Sequence, residues 1–247
     1  MLDANFYLMN LESESRHLVI LHGYLFEGSG SNIYVQNIAM SWKAQGHKVT
    51  VICQDRKVSN NPAVDYYIRG MPSEDTPKLK PGQLRIIVPD IDDLLPVYVM
   101  NEYEGYKVKC AEDMSEEEIE NYLEKTGKCL KALTTLEKVD KVLTNHAIFS
   151  PTIAARALEG TGIPFDIKIH GSAIVYSLKP HPKLFKYAIP GLKHATKIYT
   201  GTEYVRTQVL EVFKDHAEEL DLGKKLHILS PGMDPDKFCI PESLAEC

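Results

Sequence analysis

The fold class follows from residues 17–55, which read HLVILHGYLFEGSGSNIYVQNIAMSWKAQGHKVTVICQD. The unbroken apolar run at residues 17–24 is typical of a parallel strand buried on both faces, and a glycine-rich turn follows it. Apolar residues at helical spacing then predict a helix over residues 33–45, and Gly46 stands where a left-handed residue ends a helix. Residues 48–55 form the next strand. Two strands joined by one crossover helix predict parallel pairing and an α/β fold.

The same alternation recurs along the rest of the chain. Residues 56–82 are predicted to be a long surface excursion, and residues 97–109 fit either a strand or an extended loop. Ser115 and Glu118 form the capping box of a long helix. The other predicted strands and helices are LRIIVPD, KVLTNH, PTIAARALEG, PFDIKIHGS, KIYTGT, EYVRTQVLEVF and KLHILSPGMD. The sequence therefore predicts one domain, residues 1–247, built on a doubly wound, mostly parallel, Rossmann-like sheet.

Composition excludes several classes of function. The chain has 28 basic and 34 acidic residues, whereas a nucleic-acid-binding domain usually has a basic excess. Its 5 cysteines form no CxxC pair, which indicates reduced thiols rather than disulfides or a zinc ribbon. No apolar run reaches the ~18 residues of a membrane span, and the first residues do not resemble a secretory signal. We therefore expect a cytoplasmic protein.

The glycine-rich turn EGSGSN, residues 27–32, is the first candidate site. Ligands of open parallel sheets bind at the carboxyl ends of the strands, and glycines let backbone N–H groups approach an anion there. The helix that follows presents its positive end to a phosphate, and Ser31 or Asn32 can cap that helix. Ile33 excludes the GxGxxG fingerprint, and no Walker pattern is present. The turn is either a phosphate site or a purely structural connection.

Histidines at strand ends form the second candidate site. His170 ends a buried strand and Gly171 turns the chain, so the imidazole can hydrogen-bond to a sugar hydroxyl or a phosphate. The alternative, for this residue as for His22 and His146, is a histidine that only caps its strand. No HxH or HExxH pattern indicates a metal site, and no GxSxG elbow indicates a serine hydrolase.

The order of these segments resembles the N-terminal domain of family 4 glycosyltransferases, which have the two-domain GT-B architecture. The segments are HGY, GSGSNIYVQNIAMSWKAQGHKVTVICQD, LTNHA, IKIHGS, IYTGTEYV and HILSPGMDPDKF, and together they span residues 17–238. The last segment is similar to the family's PNGVD...F passage, although it reads Ser230, Pro231, Gly232, Met233 and Asp234 here. We expect the donor-binding domain, with the family's EX7E glutamate pair, to lie outside this chain.

The resemblance implies a hexosyltransferase that transfers a sugar from a nucleotide-sugar with retention, without a bound metal or other cofactor. His170 would contact the transferred sugar or its phosphate as the catalytic histidine. The residues that the resemblance assigns to the donor phosphate and sugar are Gly28, Ser29, Gly30, Ser31, Asn32 and Gly171. A second, acceptor-side set comprises Tyr24, Asn145, His146 and Glu203.

Two other functions fit the same residues. A stand-alone phosphosugar-binding module would use the same turn and His170 without turnover, and half of a sugar-nucleotide epimerase would convert a nucleotide-sugar without an acceptor. The acceptor of the transferase is not specified by the sequence and would be lipid-linked or a small molecule. The basic stretch at residues 179–197 fits either contact with the inner membrane surface or a solvated helix face.

Overall fold

The computed structural model describes residues 14–28 and 30–232, and its centre is a parallel sheet of eight strands. In chain order the elements are β1 (His17–Leu21), α1 (Gly30–Ala44), β2 (Lys48–Ile52), β3 (Tyr66–Arg69), β4 (Leu84–Val88), β5 (Leu94–Val97), β6 (Lys107–Cys110), α2 (Glu116–Leu136), β7 (Lys141–Asn145), α3 (Ser150–Ala157), β8 (Phe165–Ile169), α4 (Ile189–His194), β9 (Lys197–Thr200), α5 (Glu203–Val212), α6 (Leu222–Lys225) and β10 (Leu226–Ile228). The strand order is β10-β9-β8-β7-β1-β2-β4-β3, and every neighbouring pair is parallel. The predicted α/β class is confirmed.

β1 occupies the middle of the sheet because both of its faces are apolar. Val19 and Leu21 belong to one core cluster, whereas Leu18 and Ile20 belong to the cluster on the opposite face. All residues of the strand are buried. Full burial of an aliphatic side chain contributes about 1.5–3 kcal/mol, so this strand anchors both layers of the domain.

Helices cover both faces of the sheet, as the doubly wound prediction requires. α1 packs on one face through Val35, Ala39 and Trp42. α2, α3 and α4 pack against one another and, through residues such as Leu130 and Ile153, against the core of the other face. No helix within residues 14–28 or 30–232 combines the length and apolarity needed to cross a membrane.

The start of α1 differs from the sequence prediction. The helix begins at Gly30, so Ser31 and Asn32 lie inside its first turn and neither is its cap. The predicted cap is wrong because the Asn32 side chain turns inward instead, where its Oδ1 contacts His22 Nε2 and its Nδ2 donates to the Glu27 carbonyl. The predicted left-handed residue after the helix is confirmed, since Gly46 has φ of +84°.

The capping box that opens α2 is confirmed. Ser115 Oγ accepts from the Glu118 amide at 3.1 Å, and Glu118 Oε2 accepts from the Ser115 amide at 2.7 Å. These bonds satisfy amides that have no partner inside the helix. The helix then runs for 21 residues and buries one apolar stripe.

Two segments between β2 and α2 contain strands that the sequence left unassigned. Tyr66–Arg69 form the edge strand β3 inside the predicted excursion of residues 56–82, and this strand pairs with β4. The ambiguous residues 97–109 contain the last residue of β5, the loop that follows it and all but the last residue of β6, and these two strands pair in a separate two-stranded sheet. Both additions leave the predicted class unchanged.

The basic stretch at residues 179–197 is a set of short turns followed by α4 rather than one amphipathic helix. Three of its five lysines pair with carboxylates of neighbouring elements: Lys179 lies 3.3 Å from Glu211, Lys193 lies 3.0 Å from Glu219, and Lys186 contacts Glu116. Exposed pairs of this kind are solvated and contribute little energy. The arrangement favours the solvated-face alternative for this stretch.

Candidate functional site

The sheet has its topological switch point between β1 and β7. From β1 the chain continues to β2 on one side, whereas β8, β9 and β10 are added beyond β7 on the other side. Connections that leave in opposite directions open a crevice at the carboxyl ends of the two central strands. His22 follows β1, His146 follows β7 and His170 follows β8. The three histidines that the sequence placed at strand ends therefore meet at one crevice.

These three imidazole rings lie in a row, in which His22 and His146 are stacked and His170 is tilted by 52° from His146. The ring centroids of His22 and His146 are 5.7 Å apart with an interplanar angle of 19°, and those of His146 and His170 are 5.1 Å apart. Tyr24 and Tyr98 flank the middle ring, with centroids 5.0 Å and 4.9 Å from it. The row is thus a packed aromatic cluster in which His146 occupies the centre.

His146 is held in an unusual state at that centre. Its φ of +68° lies in the left-handed region that residues other than glycine rarely adopt. Both ring nitrogens are buried, and neither has a hydrogen-bond partner in the described part of the chain. Burial, with smaller contributions from His170 and His22, holds the pKa of His146 well below its usual value. Backbone strain and an unsatisfied buried group are both features that concentrate at functional sites.

His170 is neutral and fixed in orientation by Asn145. The distance from His170 Nε2 to Asn145 Oδ1 is 3.0 Å, and an amide oxygen only accepts, so the proton lies on Nε2. Burial, assisted by the charge of Lys168 and by His22, lowers the pKa of His170 to about 3. Nδ1 is therefore an acceptor at neutral pH. Of the two expected ligands, a sugar hydroxyl fits this nitrogen, whereas a phosphate oxygen does not.

Asn32 shapes the glycine-rich turn from beneath. His22 Nε2 lies 2.9 Å from its Oδ1, and its Nδ2 donates to the Glu27 carbonyl at 2.9 Å. Burial lowers the pKa of His22 to about 4, so this ring too is neutral at physiological pH. The side chain of Asn32 is buried and engaged, and its contribution is to position the turn rather than to face the crevice.

A cavity of about 620 Å³ opens at the crevice. Its lining residues are Tyr24, Gly30, Ser31, Tyr34, Val99, Met100, Asn101, Tyr103, His146, Lys168, Ile169, His170, Gly171, Ser172, Gly201, Thr202, Val205 and Pro231. Six of the predicted site residues line it: Tyr24, Gly30, Ser31, His146, His170 and Gly171. The volume lies within the range of small-molecule sites.

The other predicted residues that the structure describes do not line this cavity. Gly28 is exposed on the turn with φ of +119°, and Asn145 is buried behind His170. Glu203 is exposed and bonds to Arg206, whereas its neighbour Thr202 caps α5 and lines the cavity. Ser29 lies outside the described residues, as do Met233 and Asp234 of the segment similar to the family's PNGVD passage.

Lys168 and Tyr34 are among the lining residues that sequence reasoning missed. Lys168 lies inside β8 and is 2% exposed, and its Nζ lies 5.2 Å from the centroid of the Tyr34 ring. The ring of Tyr34, on the first turn of α1, in turn contacts the ring of His170 at a centroid distance of 5.3 Å. A lysine that alternates with apolar residues in a strand is normally read as solvent-facing, which concealed the first of these residues.

No group of three or more His, Cys, Asp or Glu side chains within residues 14–28 and 30–232 is placed to hold a metal ion. His22 and His170 each engage one ring nitrogen with an asparagine oxygen. The polar groups that line the cavity are neutral rings, backbone amides, the side chains of Ser31, Asn101, Ser172 and Thr202, and one ammonium. Such a set suits a polar organic ligand with an anionic group.

No protein-family model and no curated protein matches the sequence. Among solved structures, the chain is similar to the UDP-GlcNAc 2-epimerase from Methanocaldococcus jannaschii, with 11% identity and a TM-score of 0.44 over 86% of this chain and 45% of that one. It is also similar to an alpha,alpha-trehalose-phosphate synthase (UDP-forming) from Burkholderia vietnamiensis, with 15% identity and a TM-score of 0.47 over 91% and 49% of the two chains. A third similar structure is a UGT transferase from Siraitia grosvenorii in complex with UDP, with 9% identity and a TM-score of 0.43 over 88% and 48%.

The chain thus spans less than half of the length of each of these three proteins. At these identities and TM-scores, the likeness adds nothing to the fold class that the parallel sheet itself establishes.

Proposed function

We propose that this chain is the acceptor-side domain of a retaining glycosyltransferase with the GT-B architecture. The observation that carries the proposal is the cavity at the switch point, which joins the first turn of α1 to the His170–Gly171 turn. Both belong to the segments whose order resembles family 4 glycosyltransferases. A nucleotide-sugar would enter as substrate, and a second domain would bind its nucleotide.

The turn at Gly28–Asn32 is proposed to meet the donor diphosphate. Gly30 and Ser31 form the amino end of a helix of 15 residues, and both line the cavity. The unpaired amides and the positive dipole end of such a helix favour a phosphate group. Gly171 brings a further stretch of open backbone to the same space. A leaving diphosphate would be stabilised by these fixed donors.

His170 is proposed to orient the transferred sugar. Its Nε2 is engaged with Asn145, so its Nδ1 is available as the acceptor for a sugar hydroxyl. The neutral state of the ring, with a pKa of about 3, keeps this acceptor available across physiological pH. Tyr24, Tyr103 and His146 supply ring faces and edges on which a sugar can pack.

The test is a donor and acceptor screen on the native protein. We would incubate it with UDP-, GDP- and ADP-hexoses, with and without sugar and lipid-linked sugar acceptors, and measure nucleotide release and the anomeric configuration of the product. Acceptor-dependent release with retention is expected. Conversion of a nucleotide-sugar without any acceptor would identify an epimerase, and binding without turnover would identify a phosphosugar-binding module. Either result would overturn the proposed transfer reaction.

A further inference from the structure

We propose that Lys168 is the cation of a phosphate-binding subsite inside the cavity. The inference deepens the proposed function, because it rests on that cavity being the place where a phosphorylated substrate binds. It concerns a residue that neither the strand-end pattern nor the glycine-rich turn identifies.

The surroundings of Lys168 leave part of its ammonium group unused. The residue is 2% exposed, and its Nζ donates to the Leu229 carbonyl and lies above the Tyr34 ring. An ammonium group has three N–H donors, and one carbonyl with one ring face does not satisfy all of them. Lys168 also lines the cavity, so a ligand there can accept the remaining bonds.

Lys168 also has no counter-ion within the described residues. No carboxylate there lies within 4.0 Å of its Nζ, and Asp166, the carboxylate two residues earlier on the same strand, lies 2.6 Å from Lys141. The titratable groups around it are His170, which follows its own strand, Tyr34 on α1 and Tyr199 at the paired position of β9. A buried cation without a paired anion is costly, and that cost falls when a ligand supplies the negative charge.

Phosphate is the anion that fits the remaining walls. A Cβ atom on Gly201 would lie 3.9 Å from Lys168 Nζ, so the missing side chain leaves the approach to the ammonium open. Thr202, which follows Gly201, is the N-cap residue of α5. Gly30 and Gly171 expose backbone on the other walls of the cavity. Several amides with one ammonium can bind the oxygens of a phosphate. The phosphate would belong either to a nucleoside diphosphate or to a sugar phosphate.

Binding measurements with three variants test the inference. The variants are Lys168→Met, Lys168→Arg and, as a control, Lys131→Met, which removes an exposed lysine from α2. The probes for isothermal titration are inorganic phosphate, glucose 6-phosphate, glucose and UDP. Loss of one charge-assisted contact in Lys168→Met should lower the affinity for a phosphate ligand by about 10- to 100-fold. Lys168→Arg should retain most of the affinity, and the control should bind as the wild type does.

The probes also separate the two sources of the phosphate. A loss confined to UDP assigns the subsite to the donor, and a loss confined to glucose 6-phosphate assigns it to the acceptor. Unchanged binding of inorganic phosphate and both organic phosphates in Lys168→Met would overturn the inference. Acceptor-dependent transfer by that variant at the wild-type rate would do so as well, while leaving the proposed function intact.

A pH series with sulfate gives a readout that a structural lysine would not produce. Sulfate keeps its charge across the range, and burial lowers the pKa of Lys168 to about 8. Sulfate affinity should therefore be constant below pH 8 and fall above it in the wild type. In Lys168→Arg the fall should disappear, since arginine stays charged. A wild-type affinity with the same pH dependence as that of Lys168→Arg up to about pH 11, beyond the ordinary pKa of lysine, would contradict the inference even if Lys168→Met failed to fold.

Discussion

Buried polar side chains occur at both ends of the large sheet, and the two groups differ in how their charges are met. The amino-end cluster comprises His17, Thr50, Arg85 and Glu137. Arg85 is fully buried, and it contacts Glu137 at 2.7 Å and Thr50 at 3.1 Å. His17 lies between the same two partners, at 2.9 Å from Thr50 and 3.4 Å from Glu137. Within this cluster the positive charge of Arg85 is thus paired with the negative charge of Glu137.

The carboxyl-end cluster comprises His22, His146, His170 and Lys168. His146 has no hydrogen-bond partner among the described residues, and Lys168 has no carboxylate. Both clusters contain buried side chains, and Arg85 Nε at the amino end also lacks a hydrogen-bond partner among the described residues. The difference teaches that a buried charge without a countercharge, rather than burial or an unmet hydrogen bond alone, marks the end of the sheet where a ligand is expected.

The largest effect is expected from breaking the amino-end pair. Glu137→Ala should lower the free energy of unfolding by about 3–5 kcal/mol, because it leaves Arg85 buried without a countercharge. Glu120→Ala, on the helix that Glu137 follows, is the control. Its pair with Arg156 is about half exposed, and its loss should cost less than about 1 kcal/mol. Urea unfolding measures both, and equal losses would contradict the assignment of a buried ion pair.

A matched pair of histidine variants separates the two ends. His17→Phe should lower the free energy of unfolding by about 1–3 kcal/mol, because Thr50 and Glu137 lose a partner. His146→Phe keeps an aromatic ring in the cluster and removes a ring N–H that has no hydrogen-bond partner among the described residues. The free energy of unfolding should therefore stay unchanged or rise by up to about 1 kcal/mol. Denaturant melts at pH 7 test this. A similar loss in both variants would show that His146 has a structural partner after all.

Acid sensitivity should instead be common to both ends. The folded pKa values of His17 and His22 are about 4 and that of His170 is about 3, whereas an unfolded histidine titrates near 6.5. Below that value the unfolded chain binds protons that the folded chain does not, so stability is full above pH 6.5 and falls as the pH drops. Each histidine should contribute about 1 kcal/mol per pH unit between pH 6 and 5. His17→Phe and His146→Phe should each flatten the measured slope by that amount, and an unchanged slope would count against buried neutral rings.

The smallest effect on stability is expected at Gly30. A Cβ atom there has no neighbour within 4 Å, so Gly30→Val should change the free energy of unfolding by less than about 0.5 kcal/mol. It should nevertheless weaken the binding of a diphosphate donor, since the added side chain occupies space in front of the first turn of α1. Gly46→Val, after the other end of the same helix, should lose about 1–2 kcal/mol because φ is +84°, and it should keep donor affinity. Thermal melts measure the stability of the two variants, and donor titrations measure their affinity. A larger loss of stability in Gly30→Val than in Gly46→Val, or a loss of donor affinity confined to Gly46→Val, would contradict this prediction.

Most of the large sheet could be predicted from sequence because its strands are buried on both faces. Runs such as HLVIL and LRIIV admit few other structures in a chain with this spacing. β3 was not predicted because Tyr66–Arg69 is a short edge strand whose residues are half-exposed and whose burial does not alternate along the strand. The cap of α1 was wrong because tertiary contact with His22 overrode the local capping preference of Asn32.

The candidate site was predictable only as far as chain position determines it. The strand-end rule places His22, His146 and His170 at one edge for any parallel sheet. It does not reveal which ring is left without partners, because that depends on Asn32 and Asn145 approaching two of the three rings. Lys168 lies within a strand, where sequence offers no signal that its terminal ammonium turns toward a cavity.

The strand order also has a consequence for how the chain folds. β1 to β4 come from the first half of the sequence and β7 to β10 from the second, and within the large sheet the two halves are joined by the β1–β7 pairing. The His17 amide and the Asp140 carboxylate that join this seam are 123 residues apart in sequence, and such distant pairing is slow to form. His22 lies on one side of the seam, with His146 and His170 on the other. The crevice therefore forms only when both halves have docked. The rate at which the crevice appears during refolding would therefore report the rate at which β1 pairs with β7.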